Sequence, residues 1–211
     1  VDCSLENITT LIFDFGGVLY EIDPERTYTG FLGRSHKPDS LSERSVFFNE
    51  DNFFANYEKG LISSSTFRQE AIGGLYLSPI DDNEFDGIWN ATLVALFPGT
   101  VTHIRKFSRN FRLILLSNTN EIHYNYFEPE CRELFSLFGK KYFSYRLGLR
   151  KPDPEIFRRV LEESAVSAGE CLFIDDVKAN TDSAAALGID TYLFDSKKGM
   201  DELENILMKG K

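Results

Sequence analysis

The chain has 211 residues, 42% of them hydrophobic and 27% charged, so it is long enough for one substantial core and too apolar to remain disordered. With 23 Lys and Arg against 33 Asp and Glu, its formal charge of -10 argues against nucleic acid or an anionic membrane as a partner, and no obligate protein partner is expected. Cys3, Cys131 and Cys171 are widely spaced and form no CxxC pair, residues 1–10 lack a basic and apolar leader, and no apolar stretch is long enough to span a bilayer. A disulfide framework, a thiolate zinc site and a membrane span are therefore not expected, and a reducing cytoplasm is the expected compartment.

In chain order, residues 10–15 form a short apolar run that predicts a buried strand. It ends in Asp14-Phe15-Gly16-Gly17. A carboxylate directly after a buried strand is held rigidly and can act as a nucleophile, and the glycines let the backbone turn sharply towards a ligand. An ordinary Asp-containing turn has the same local sequence. From about residue 22 to residue 96 the texture changes to helical spacing without convincing strands. Phe67, Ala71 and Leu75 share a face capped by Ser63, and Phe85, Ile88, Trp89, Leu93 and Leu96 share another. The aromatic residues Phe47, Phe48, Phe53, Phe54 and Tyr57 read as core of this insert in preference to a substrate pocket.

Pro98-Gly99 marks the return to alternating strands and helices. Strands are predicted over residues 112–117, 141–144, 171–174 and 190–194. Ile156, Phe157, Val160 and Leu161 form a helical stripe after Asp153-Pro154, and residues 184–187 run up to Gly188 as a helix end. The pattern predicts an α/β fold with a parallel sheet, interrupted after its first strand by a helical cap. The expected boundaries are 1–20 and 97–211 for the core and 21–96 for the cap.

Ligands of open parallel sheets bind at the carboxyl ends of the strands, so the polar residues there are the candidates. Ser117-Asn118-Thr119-Asn120 offers neutral donors to phosphate oxygens, or simply a helix cap. Lys151, between Arg150 and Pro152, offers a positive charge, or only a helix entry. Asp175-Asp176 follows a buried strand, and two adjacent carboxylates there are costly without a cation. Magnesium suits such oxygen ligands.

Asp after the first strand, Ser-Asn after the next, Lys-Pro before a helix and Asp-Asp after a later strand: this order resembles the haloacid dehalogenase superfamily, over nearly the whole chain. It most resembles the helical-cap phosphatases similar to bacterial α-D-glucose-1-phosphatase, through Asp14-Phe15-Gly16, Ser117 to Asn120, Tyr57-Glu58-Lys59-Gly60 and His123. The resemblance implies a Rossmann-like parallel-sheet core with an inserted all-helical cap. It also implies a Mg2+-dependent phosphatase that hydrolyses a small phosphorylated metabolite, such as a sugar phosphate, through an aspartyl-phosphate. By that resemblance Asp14 attacks phosphorus and Lys151 neutralises charge, while Ser117 and Asn118 hold the phosphate. Asp14, the Gly16 carbonyl, Asp175 and Asp176 hold the metal, Asp176 directly, with Asn180 behind them.

One departure matters. Many superfamily phosphatases carry an acid–base Asp where this chain has Gly16. Turnover is then expected to depend on leaving-group quality, unless water, substrate or His123 relays a proton. Two rivals follow. A hydrolytic dehalogenase needs no proton donor, but gives the Asp175-Asp176 pair no role. A non-enzymatic phospho-ligand-binding protein accommodates Gly16, but gives no reason for an intact Asp14 and Lys151.

Overall fold

The computed structural model describes residues 7–41 and 52–209. Five strands form one sheet in the order β5-β4-β1-β6-β7, named here in chain order, with every neighbouring pair parallel. They are β1 (Thr10–Phe13), β4 (Arg112–Ser117), β5 (Lys140–Phe143), β6 (Cys171–Asp175) and β7 (Asp190–Leu193). All five runs predicted as strands lie in this sheet, with ends shifted by at most two residues. β1 is central and buried on both faces, which its uninterrupted Thr-Leu-Ile-Phe sequence suits.

Alternate side chains feed two cores. Leu11, Phe13, Leu113, Leu115 and Ile174 face one layer, with Ile104, Phe107, Phe127 and Leu203 from helices α5 (Thr100–Phe107), α6 (Glu121–Ser136) and α10 (Gly199–Leu207). Ile12, Ile114, Leu116 and Phe173 face the other, with Ile156, Phe157 and Val160 of α8 (Pro154–Ser164) and Ala184 of α9 (Lys178–Ala185). Each large apolar side chain so buried contributes about 1.5–3 kcal/mol over exposure. Asp153 caps α8 by accepting from the Glu155 N–H, and Gly188 takes a left-handed conformation with φ of 81° just beyond α9. Among the described residues no helix is long and apolar enough to cross a membrane.

The insert holds α1 (Pro24–Arg34), α2 (Phe53–Glu58), α3 (Ser64–Gly74) and α4 (Asp82–Asn90). Phe54, Tyr57, Phe67, Ala71, Leu75 and Phe85 form its own core, and Ser63 caps α3 through the Thr66 N–H. Phe47 and Phe48 lie outside the described residues. The insert is not helical throughout: β2 (Tyr20–Ile22) and β3 (Leu93–Leu96) pair antiparallel where the chain leaves and re-enters the core. This corrects the helical face assigned to Leu93 and Leu96. Helix α4 stops at Asn90, and the short run that follows fits either period until a partner strand is present.

Candidate active site

The sheet gathers the strand-end residues. Phe13 is in register with Leu115 and Ile174, so Asp14, Ser117 and Asp175 emerge from the carboxyl ends of three adjacent strands. The Asp14 N–H donates to the Ile174 carbonyl at 2.9 Å, which carries the pairing one residue into the site. Lys151 arrives from the loop before α8 and is 1% exposed. Its Nζ lies 2.7 Å from Asp14 Oδ1 and 2.6 Å from Asp175 Oδ2.

Asn118 positions that lysine. Its Oδ1 accepts the Lys151 N–H at 2.9 Å, and its Nδ2 donates to the Lys151 carbonyl at 2.9 Å. The side chain expected to hold phosphate is therefore engaged with the backbone that carries Lys151. Ser117 stays buried at the end of β4, with its hydroxyl only 3.3 Å from the Asn118 carbonyl.

Asp14, Asp175 and Asp176 each offer an oxygen within 4.8 Å of the others. Asp175 is saturated: Oδ1 accepts from the Val177 N–H and Asn180 Nδ2, and Oδ2 from Lys151 and Asn180 Nδ2. Asp14 receives both its donors, the Phe15 N–H and Lys151, on Oδ1. Asp176 is turned over Gly17, whose φ is 77°; a Cβ there would stand 2.1 Å from Asp176 Oδ2. Only glycine lets the backbone pass this carboxylate. Gly16 has no such constraint, since a Cβ would meet Ile22 at 3.4 Å and nothing nearer.

The charge balance follows. Burial lifts the Asp14 carboxyl to about 8 against the pull of Lys151, with Asp175 and Asp176 adding repulsion. Burial, then Asp175, likewise raises Asp176. Burial alone would lower Lys151, yet the attraction of Asp14 and Asp175 holds it above its ordinary value. When all are ionised, three carboxylates face one ammonium, and the surplus of two negative charges suits a divalent cation. The donors are all oxygens, which fits magnesium and not a thiolate-seeking metal.

A cavity of about 600 Å3 adjoins this centre. Gly16, Ser117 and Asn118 line it from the core, and Ile22, Phe54 and Trp89 are among its apolar walls. Glu58, at the end of α2, and Arg150 are among its ionisable residues to which the sequence assigns no role. Arg150 Nε lies 3.0 Å from Glu58 Oε2, off the N–H direction, so they form an ion pair and not an aligned hydrogen bond. Burial raises the Glu58 carboxyl above its ordinary value despite Arg150. The sequence carried a partial signal in Tyr57-Glu58-Lys59-Gly60, but the pairing with Arg150 exists only across the folded domains.

His123 joins cap to core. Its ring stacks on Trp89 with centroids 4.7 Å apart, Nε2 lies 3.1 Å from the Trp89 carbonyl, and Nδ1 lies 3.1 Å from Asn120 Nδ2. A neutral ring, donating from Nε2 and accepting at Nδ1, satisfies both. Burial lowers its pKa to about 4, so near neutral pH it has no spare proton to relay. A folded pKa below the ordinary 6.5 gives stability that is present above pH 6.5 and lost as pH falls through 4. The unfolding free energy of the wild type, from urea titration, should drop by on the order of 2 kcal/mol more than that of His123→Gln between pH 7 and pH 4. Parallel pH profiles would show that the ring is not held neutral.

The sequence profile of the haloacid dehalogenase-like hydrolases matches residues 8–188. A D-ribitol-5-phosphate phosphatase of Bacteroides thetaiotaomicron is 29% identical over 192 residues, 88% of this chain and 91% of that protein. The crystal structure of a HAD family enzyme from the same organism, in complex with magnesium and inorganic phosphate, superimposes with a TM-score of 0.80 at 31% identity, covering 93% of this chain and 98% of that one. A HAD-like family hydrolase from Porphyromonas gingivalis gives a TM-score of 0.83 at 27% identity, covering 97% and 99%.

Proposed function

Because the chain belongs to the haloacid dehalogenase-like hydrolases, we propose that its carboxylate–lysine centre is a Mg2+-dependent phosphatase acting on a small phosphomonoester. The observation that carries this reading is the cluster of Asp14, Asp175 and Asp176 within 4.8 Å of one another, with Lys151 bridging two of them, next to the cavity lined by Gly16, Ser117 and Asn118. Asp14 and Asp176 would hold the cation with the Gly16 carbonyl, and Asp175, already saturated, would support them. When bound, Mg2+ shields the phosphate so that an anionic nucleophile can approach it. We assign the core to 1–20 and 97–211 and the cap to 21–96.

Asp14 Oδ2, which carries neither of that side chain's two donors, attacks phosphorus and forms the aspartyl-phosphate. Lys151 fixes Oδ1 and balances charge as the phosphoryl group moves. Ser117 and the main-chain N–H of Asn118 meet the phosphate oxygens, since the Asn118 side chain is engaged with Lys151. A sugar or sugar-alcohol phosphate is the favoured substrate class. The ribitol-phosphate-hydrolysing relative supports it, and so does the resemblance to glucose-1-phosphatase-like enzymes. The dehalogenase alternative leaves the surplus carboxylates without a purpose.

Phosphate release from a panel of sugar and sugar-alcohol phosphates should require Mg2+, vanish in EDTA and return when Mg2+ is restored. Full activity in EDTA would sink the magnesium mechanism. Binding of these esters without any release would favour the phospho-ligand-binding reading.

A further inference from the structure

We propose that Glu58, carried by the cap, donates the proton to the departing oxygen, the task for which position 16 has no side chain; this rests on the phosphatase reading above.

Among the other carboxyl and imidazole groups that line the cavity, Asp23 and His123 are engaged elsewhere and Glu25 is exposed. Asp23 caps α1 by accepting from the Glu25 N–H and also accepts from Arg26. Glu25 is exposed at the rim. His123 spends both ring nitrogens on Asn120 and Trp89. Arg150 is the ion-pair partner of Glu58. Glu58 remains, and it is held in place from both sides. Before it, the Tyr57 hydroxyl accepts the N–H of core residue Ile122 at 3.1 Å and pairs with Ser64 Oγ at 2.8 Å. After it, Gly60 has φ of 66°, and a Cβ there would lie 2.0 Å from the Tyr145 carbonyl oxygen. The end of α2 bearing Glu58 therefore rests directly on the core.

Glu58 is also tied to the phosphate end of the cavity. Its partner Arg150 directly precedes Lys151, and the Lys151 charge acts on the Glu58 carboxyl. Burial favours the protonated acid, while Arg150 steadies the carboxylate once the proton has gone.

The steps balance. As the Asp14 oxygen bonds to phosphorus and the ester P–O bond breaks, the Glu58 proton moves to the leaving oxygen, which departs as a neutral alcohol. Water then enters the place the alcohol vacated. Glu58 takes a proton from it as the water oxygen bonds to phosphorus. The Asp14–phosphorus bond breaks with its electron pair returning to Asp14, and inorganic phosphate leaves with Glu58 protonated again.

The test is kcat/KM for aryl and alkyl phosphomonoesters under Mg2+, with 4-nitrophenyl phosphate and glycerol phosphate as the extremes. An acid matters most for the poor alkoxide leaving group. Glu58→Gln, nearly isosteric, should lose about 10²–10⁴-fold on glycerol phosphate and less than about tenfold on 4-nitrophenyl phosphate. Equal losses on both esters, as a merely structural role would give, overturn the proposal; so does an unchanged rate on glycerol phosphate. The wild type supplies a second measurement that needs no variant. With an acid in place its rate should depend only weakly on leaving-group pKa, and a steep fall under rate-limiting chemistry means no group donates. No phosphate release from any ester overturns the phosphatase reading itself and the proposal with it, and an Asp14→Asn variant at full rate overturns the aspartyl-phosphate route on which this proton transfer is drawn.

Discussion

Asp14→Asn is expected to abolish turnover, by on the order of 10⁴-fold or more, without unfolding the protein. The substitution keeps the shape and the Oδ1 contact to the Phe15 N–H, but removes the anion that attacks phosphorus. It should also raise stability in EDTA. The native site sets three carboxylates against Lys151, and burial drives the Asp14 carboxyl to about 8. A folded pKa above the unfolded 3.8 means that the folded state holds the extra proton between these values. That contribution to stability is complete below pH 4 and lost as pH rises through 8. An asparagine has no proton to lose, so its advantage in Tm should grow from pH 5 to pH 8. Steady-state assays with Mg2+, and thermal melts in EDTA at the two pH values, check both parts. A variant that turns over at the native rate refutes the nucleophile; one that is less stable in EDTA at pH 8 refutes the charge argument.

The expected mutational sensitivity follows what was legible in the sequence. Asp14 and Asp175 could be located because a buried parallel strand announces itself as a short apolar run, and its last residue must sit at the ligand edge. Lys151 could be located from its order among the motifs. The work of Asn118 could not, because its two bonds to the Lys151 backbone span 33 residues and depend on where β4 ends in space. Leu93 and Leu96 were misassigned because their strand exists through pairing with β2, which offers only three residues. Position 16 was informative by what it lacks. Its glycine is required neither by a positive φ nor by a close contact, so the missing carboxylate is a chemical feature and not a steric one. Glu58 and Arg150, 92 positions apart, meet only after the cap has folded onto the core.

Lys151→Met should separate metal binding from catalysis. The lysine is 1% exposed and its ammonium lies within 2.7 Å of both Asp14 and Asp175. Methionine fills nearly the same space but leaves these acids facing each other without a counter-charge. Breaking a buried ion pair from one side costs about 3–5 kcal/mol. Here the penalty should shrink towards pH 5, where Asp14 can take a proton instead. Mg2+ should then do more for the variant than for the wild type, because the ammonium no longer competes for the Asp14 carboxylate. The Mg2+-induced rise in Tm at pH 8 should therefore be larger in Lys151→Met, even as kcat falls by about 10³-fold or more for want of charge balance at the transferring phosphoryl group. Thermal melts with and without Mg2+ at pH 5 and pH 8, set beside phosphate-release rates, separate the two effects. If the variant melts like the wild type in EDTA at pH 8, Lys151 is not compensating buried negative charge. If it melts lower but turns over normally, the lysine is a structural counter-ion and the charge on the moving phosphoryl group is balanced elsewhere.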